Sequence, residues 1–122
     1  MTVIAVINRI DAIKPNIYTL SEKIQWLSTL DGIVKKEIID THTGVQNTEF
    51  TPYNDTDIQR ELLIPYPYDE IYVRWLEAQI DYTAGEYEKY NNSISLFNID
   101  FDNFNKYYNR IHKPIRHDFT HF

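Results

Sequence analysis

From Leu76 onward, apolar and aromatic side chains recur at alternating steps of four and three residues: Leu76, Ile80, Thr83, Tyr87, Tyr90, Ile94, Phe97, Phe101, Phe104, Tyr108 and Ile111. With about 3.6 residues per turn, such steps keep returning to one face, so the spacing predicts helix and not strand or loop. Thr83 is the one weak member. Seven of these positions follow Gly85 and hold Tyr, Ile or Phe up to Tyr108. Burying side chains of that size stabilises a fold by roughly 1.5 to 3 kcal/mol each, so the stripe calls for an opposing surface.

Unbroken from Asp69 to His112, this helix would run about 66 Å, too long for a compact domain of this mass. Gly85 is the expected break, because Gly takes the left-handed conformation that ends helices. Asn91-Asn92-Ser93 is a second candidate. A single projecting helix is the alternative, since one internal Gly costs only about 1 kcal/mol.

The 122 residues suit one domain, and the net charge of −6 argues against nucleic-acid binding through a broad basic surface. Without cysteine, disulfides, thiolate metal sites and cysteine nucleophiles are excluded. The apolar start at Val3–Ile7 lacks the basic flank and cleavage site of a signal peptide, and no apolar run approaches bilayer length. The expectation is a soluble protein made and used inside the cell.

Thr2 is placed to cap a first helix with Val3, Val6, Ile7, Ile10 and Ile13 on one face, stopped by Pro15. The β-branched run also suits a strand, but Asn8, Arg9 and Asp11 break strand alternation while the helical spacing continues. Thr19 and Glu22 form a capping box before Ile24, Leu27, Leu30, Val34 and Ile38, with Lys35 and Lys36 near the negative end of the helix dipole. Asp31-Gly32 is a candidate interruption. Trp26 and Ile33 lie off the main stripe, which predicts two neighbours for this helix.

Residues 40–67 lose periodicity, with Val45–Phe50 readable as one arm of a hairpin and Glu61–Ile64 as a short extended piece. Pro65 and Pro67 force an extended entry to a third helix, capped at Asp69 and favoured by Glu70 in its first turn. Ile71, Tyr72, Trp75, Leu76, Gln79 and Ile80 share a broad face of it, opposite Arg74, Glu77 and Asp81. A fourth helix follows from Glu86 to about Ile111, ending before Pro114.

The expected fold is therefore mainly α: a small bundle of about four helices with a long central loop that has room for a short β-hairpin. The last two helices form either an antiparallel hairpin or one long broken helix. Residues 1–114 make a single helical domain and residues 115–122 a C-terminal tail.

Motifs that would carry chemistry are weak. Glu77 and Asp81 stand one helical turn apart, a spacing that holds Mg²⁺ in all-helical phosphohydrolases, yet Glu22 and Glu37 supply no matching pair and the basic residues are scattered. A solvated helix face is the simpler reading. His112, His117 and His121 gather near the C-terminus, but Pro114 interrupts any helical ligand pair. No serine sits in a nucleophile elbow, and the three glycines are too dispersed for a phosphate loop. Tyr66, Tyr68, Tyr72 and Trp75 lack the basic groove that base stacking needs. No catalytic, cofactor or metal residue is assigned. The residues singled out are candidates for core or subunit interface: Trp26, Tyr72, Trp75, Tyr87, Tyr90, Phe97, Phe101, Phe104 and Tyr108.

Several stretches together resemble a known family. These are Glu22–Gly32, Lys36–Ile39, Leu62-Leu-Ile-Pro-Tyr-Pro-Tyr-Asp-Glu-Ile-Tyr72, Trp75–Tyr82, Gly85–Ser93 and Tyr107–Arg110. They are similar to the head-tail connector, or adaptor, proteins of tailed bacteriophages and prophages of Gram-positive hosts. The resemblance spans Val3 to Pro114 and implies a structural, non-enzymatic subunit of the virion neck, without cofactors, that assembles in the host cytoplasm. It implies a homo-oligomeric ring under the portal protein, in contact with other neck or tail proteins, through which DNA passes without specific binding. A ring subunit needs two different side surfaces in head-to-tail contact. The 40–67 connection and the tail are then the expected reaching parts, and acidic charge would suit a channel wall to which phosphates do not adhere. Another small virion or morphogenesis protein, or a small all-α metal-dependent phosphohydrolase using Glu77 and Asp81, are the alternatives.

Overall fold

A computed structural model describes residues 1–41 and 49–112. Four helices form the body: α1 (Val3–Ile13), α2 (Leu20–Glu37), α3 (Glu70–Thr83) and α4 (Tyr87–Ile111), with a one-turn 3-10 helix at Ile39–Thr41. Helix α3 is central and packs against each of the other three, whereas α4, among the described residues, packs against α3 alone of the helices.

The direction of each helix follows from its cross-links. Lys14 reaches Asp81 and the Met1 ammonium lies 3.7 Å from Asp69, so α1 runs parallel to α3. Trp75 meets Trp26 and Tyr72 meets Asp31, so α2 runs antiparallel to it. Trp75 lies against Phe97, and Tyr68 against Phe104, so α4 is antiparallel as well. One end of the bundle therefore gathers the α1–α2 connection and the α3–α4 turn.

Local chemistry explains the helix boundaries. Thr2 accepts the Ala5 amide at the start of α1, and Thr19 and Glu22 close the capping box of α2. Asp31-Gly32 does not interrupt α2, because Asp31 points inward to the core and leaves the backbone ladder intact. Asp69 precedes α3 but makes no side-chain cap; its carboxylate lies instead near the Met1 ammonium.

The turn at Gly85 is a Schellman closure: the Glu86 amide donates to Asp81 O at 2.9 Å and the Gly85 amide to Tyr82 O at 3.0 Å, with Gly85 at φ +76°. It resolves the long stripe into an antiparallel hairpin. Asn91-Asn92-Ser93 passes within α4 without a break. A Cβ at Gly85 would meet nothing within 4 Å, so Gly85→Ala should cost only the backbone term of about 1 to 2 kcal/mol. Urea titration is expected to show that loss, with Gly85→Asn falling between the two because Asn tolerates this region better. Equal stability of Gly85→Ala and the parent would contradict this account.

The core comprises Val3, Val6, Ile7 and Ile10 of α1, Ile24, Leu27, Leu30 and Val34 of α2, Ile71, Tyr72, Val73, Leu76 and Ile80 of α3, and Phe97 and Phe104 of α4. Ile13 was expected on the buried face but is 55% exposed, since it is the last residue of α1 at the open end of the bundle. Likewise the stripe is not covered throughout: Thr83 and Tyr87 flank the turn, and Ile111 occupies the last turn of α4, and all three are exposed.

Among the described residues the connection from α2 to α3 contains no β-hairpin. The Val45–Phe50 arm falls outside the described residues apart from Glu49 and Phe50, neither of which is in a strand. Glu61 does make an isolated antiparallel bridge with Thr2. It is flanked by Val3 N–H to Arg60 O and Leu62 N–H to Met1 O, both 3.0 Å, so the extended piece is pinned to the start of α1. The C-terminal tail at 115–122, with His117 and His121, also lies outside the described residues.

Candidate functional site: two buried carboxylates and an open apolar end

Asp31 is fully buried and serves as the polar centre of the fold. The Tyr53 hydroxyl donates to its Oδ2 at 2.5 Å, the Tyr72 hydroxyl to its Oδ1 at 2.6 Å, and the Leu63 amide to Oδ2 at 3.0 Å. Tyr72 in turn accepts the Ile64 amide at 2.7 Å, and Ser28 accepts the Tyr53 amide at 2.9 Å. Thus α2, α3 and both limbs of the long connection converge on one carboxylate. Arg60 lies over the Tyr53 ring at 4.7 Å, adding a cation–π contact beside it.

Burial pushes the Asp31 carboxyl above its usual range, against the opposing pull of the two phenols. Burial and the neighbouring Asp31 raise both phenols, so Tyr53 and Tyr72 stay protonated and donate. Both oxygens of Asp31 are taken up by protein donors, an arrangement that clamps the connection to the helices.

Asp81 is the second buried carboxylate, and its position corrects the expected solvated face. It is 1% exposed; Lys14 lies 2.7 Å from Oδ1 and the Ser93 hydroxyl donates to Oδ2 at 2.7 Å. Glu77 pairs instead with Arg74 at 3.8 Å, so the two carboxylates that their spacing offers to a cation are drawn to different partners. Among the described residues no three His, Asp or Glu side chains gather as a metal-binding group. His112 stacks on Tyr108 with ring centroids 4.1 Å apart.

The candidate aromatic residues divide by position. Tyr72, Phe97 and Phe104 are buried; Trp26, Trp75, Tyr90, Phe101 and Tyr108 are half-buried; Tyr87 is exposed. Trp75 donates its indole N–H to Trp26 O at 2.8 Å and its ring meets Phe97 at 5.1 Å, joining α2, α3 and α4. Phe97 stacks on Phe101 at 5.4 Å, and Phe104 meets Tyr68 at 5.8 Å. Tyr66 is 85% exposed while Tyr72 is buried, so the four aromatics considered for base stacking share no platform.

At the end of the bundle near Gly85, Ile13, Ile17, Leu20, Tyr82 and Tyr87 are all exposed, Ile17 at 92%. Tyr82 meets Tyr87 at 5.6 Å and Tyr90 at 5.1 Å, forming an aromatic edge to this surface. Leu96 and Ile99 add exposed apolar area on the flank of α4. The sequence marked Asp31 only as a candidate interruption, Ser93 only as part of a candidate break and Asp81 only beside Glu77, and it did not connect them with Tyr53 or Lys14, because a polar residue in a helix carries no sign of what lies opposite.

Family models, curated proteins and solved structures offered no match to this chain. Among the described residues no helix is long and apolar enough to cross a membrane.

Proposed function

We propose that the chain is a structural assembly subunit, a head-tail connector that forms a ring beneath the portal of a tailed phage, in the virion and, during assembly, in the host cytoplasm. The observation that carries this reading is the one-sided packing of α4. Among the described residues the longest helix has one helical neighbour, and exposed apolar side chains remain on its flank and at the adjoining end. Apolar side chains left exposed side by side in this way suit a surface that associates. The resemblance of Glu22–Gly32, Leu62–Tyr72 and Gly85–Ser93 to connector proteins supplies the particular assembly. The net charge of −6 accords with a channel wall along which DNA slides without adhering.

Multi-angle light scattering of the full chain, alone and mixed with portal rings, tests the proposal. A closed cyclic oligomer, or stable co-migration with the portal, is expected. A monomer under both conditions would refute it.

A further inference from the structure

We infer that the open apolar end of one copy receives the segment Lys113–Phe122 of a second copy. This rests on the assembly reading above and names the contact that makes it.

The receiving surface has a definite shape. A groove of about 350 Å³ lies between the α1–α2 connection and the α3–α4 turn, with Pro15, Ile17, Ile80 and Ala84 among its apolar walls and Asp81 and Glu86 at its edge. Charge around it is unbalanced. Lys14, Lys23 and Lys89 are each held by a carboxylate, Asp81, Asp11 and Glu86 respectively, while Glu22 and Glu88 add further negative charge to the same end. The groove's own charges balance, Lys14 and Lys89 against Asp81 and Glu86, but the end of the bundle around it carries a surplus of carboxylates, which suits a segment that combines large apolar side chains with cations. Residues 113–122 have that composition: Ile115, Phe119 and Phe122 among Lys113, Arg116 and three polar neighbours, with Asp118 the one carboxylate.

Reach decides whose segment it is. Helix α4 is 25 residues long, so its C-terminal end lies about 37 Å from the Gly85 turn. Phe119 is seven residues beyond His112 and can extend at most about 25 Å from it. Phe119 therefore cannot fill the groove of its own copy, and Phe122, ten residues beyond His112, could come near its edge only with every intervening residue fully extended. Donation to a neighbour is heterologous, and such contacts propagate into a ring when the rotation closes.

Photo-crosslinking of the full chain tests the contact, with benzoylphenylalanine replacing Phe119 and copies mixed from normal and ¹⁵N-labelled stocks. Mass spectrometry should find mixed-label crosslinks to Ile17 or to peptides flanking Gly85. Ile17→Asp should lower their yield about tenfold or more, given what burying one Ile contributes. Because Ile17 is 92% exposed, its circular dichroism should not change, and Tyr66→Asp at the opposite end should crosslink as the parent does. Crosslinks within one copy, or to another surface of an assembled chain, would overturn the docking and leave the assembly reading intact. A chain that neither associates in light scattering nor crosslinks would overturn both.

Discussion

Asp31→Ala is expected to remove about 3 to 5 kcal/mol of stability, a large fraction of the roughly 5 to 15 kcal/mol a domain possesses. The substitution leaves two phenols and one amide without their acceptor in a dry interior, and each buried donor stranded in this way costs about 1 to 3 kcal/mol. Relief of the buried charge offsets part of the loss. Asp31→Asn should cost less, because an amide oxygen at the Oδ2 position still accepts from Tyr53 and Leu63 and only the Tyr72 donation is lost.

Urea midpoints should therefore fall in the order parent, Asp31→Asn, Asp31→Ala. The pH response supplies a second readout. The folded carboxyl titrates above its unfolded value, so the folded state binds the proton more tightly. The contribution of Asp31 is fully present below the unfolded pKa and is lost as pH rises through the folded one. Asp31→Asn should remove that acid-side gain relative to the parent. An Asp31→Ala protein as stable as the parent would show that the connection is held by something other than this carboxylate.

Phe104→Ala should cost a comparable 3 to 5 kcal/mol, roughly the range for emptying a buried Phe site. Phe104 is 1% exposed and lies between Tyr68, ahead of α3, and Tyr108 on its own helix. What distinguishes this variant is where the damage falls. Among the described residues α4 has α3 as its one helical neighbour, so the cavity is closed by packing against α3 alone of the helices. Hydrogen exchange should quicken first in the C-terminal half of α4, while amides of α1 and α2 keep their protection. Leu96→Ala, on the exposed flank, should leave exchange in the isolated chain almost unchanged. Uniform acceleration across all four helices in Phe104→Ala would instead mean that α4 is an integral part of one cooperative core.

The helices themselves were written locally. Thr19 and Glu22 open α2, Gly85 turns the chain, and the three–four spacing marks the faces that α1 and α4 bury, because caps, left-handed turns and amphipathic periods depend on residues within about one turn of each other. Only the tertiary structure decided which polar side chains went inside. Asp31 looked like an interruption and Asp81 like a solvated surface residue, yet each is buried, since whether a carboxylate can be desolvated depends on donors brought from far along the chain: Tyr53, Leu63 and Tyr72 for one, Lys14 and Ser93 for the other. The same distinction governs the aromatic stripe. Its period shows that a face exists, but how far that face is covered depends on where the partner helix stops, which is why Phe104 is enclosed and Tyr87 stands in water.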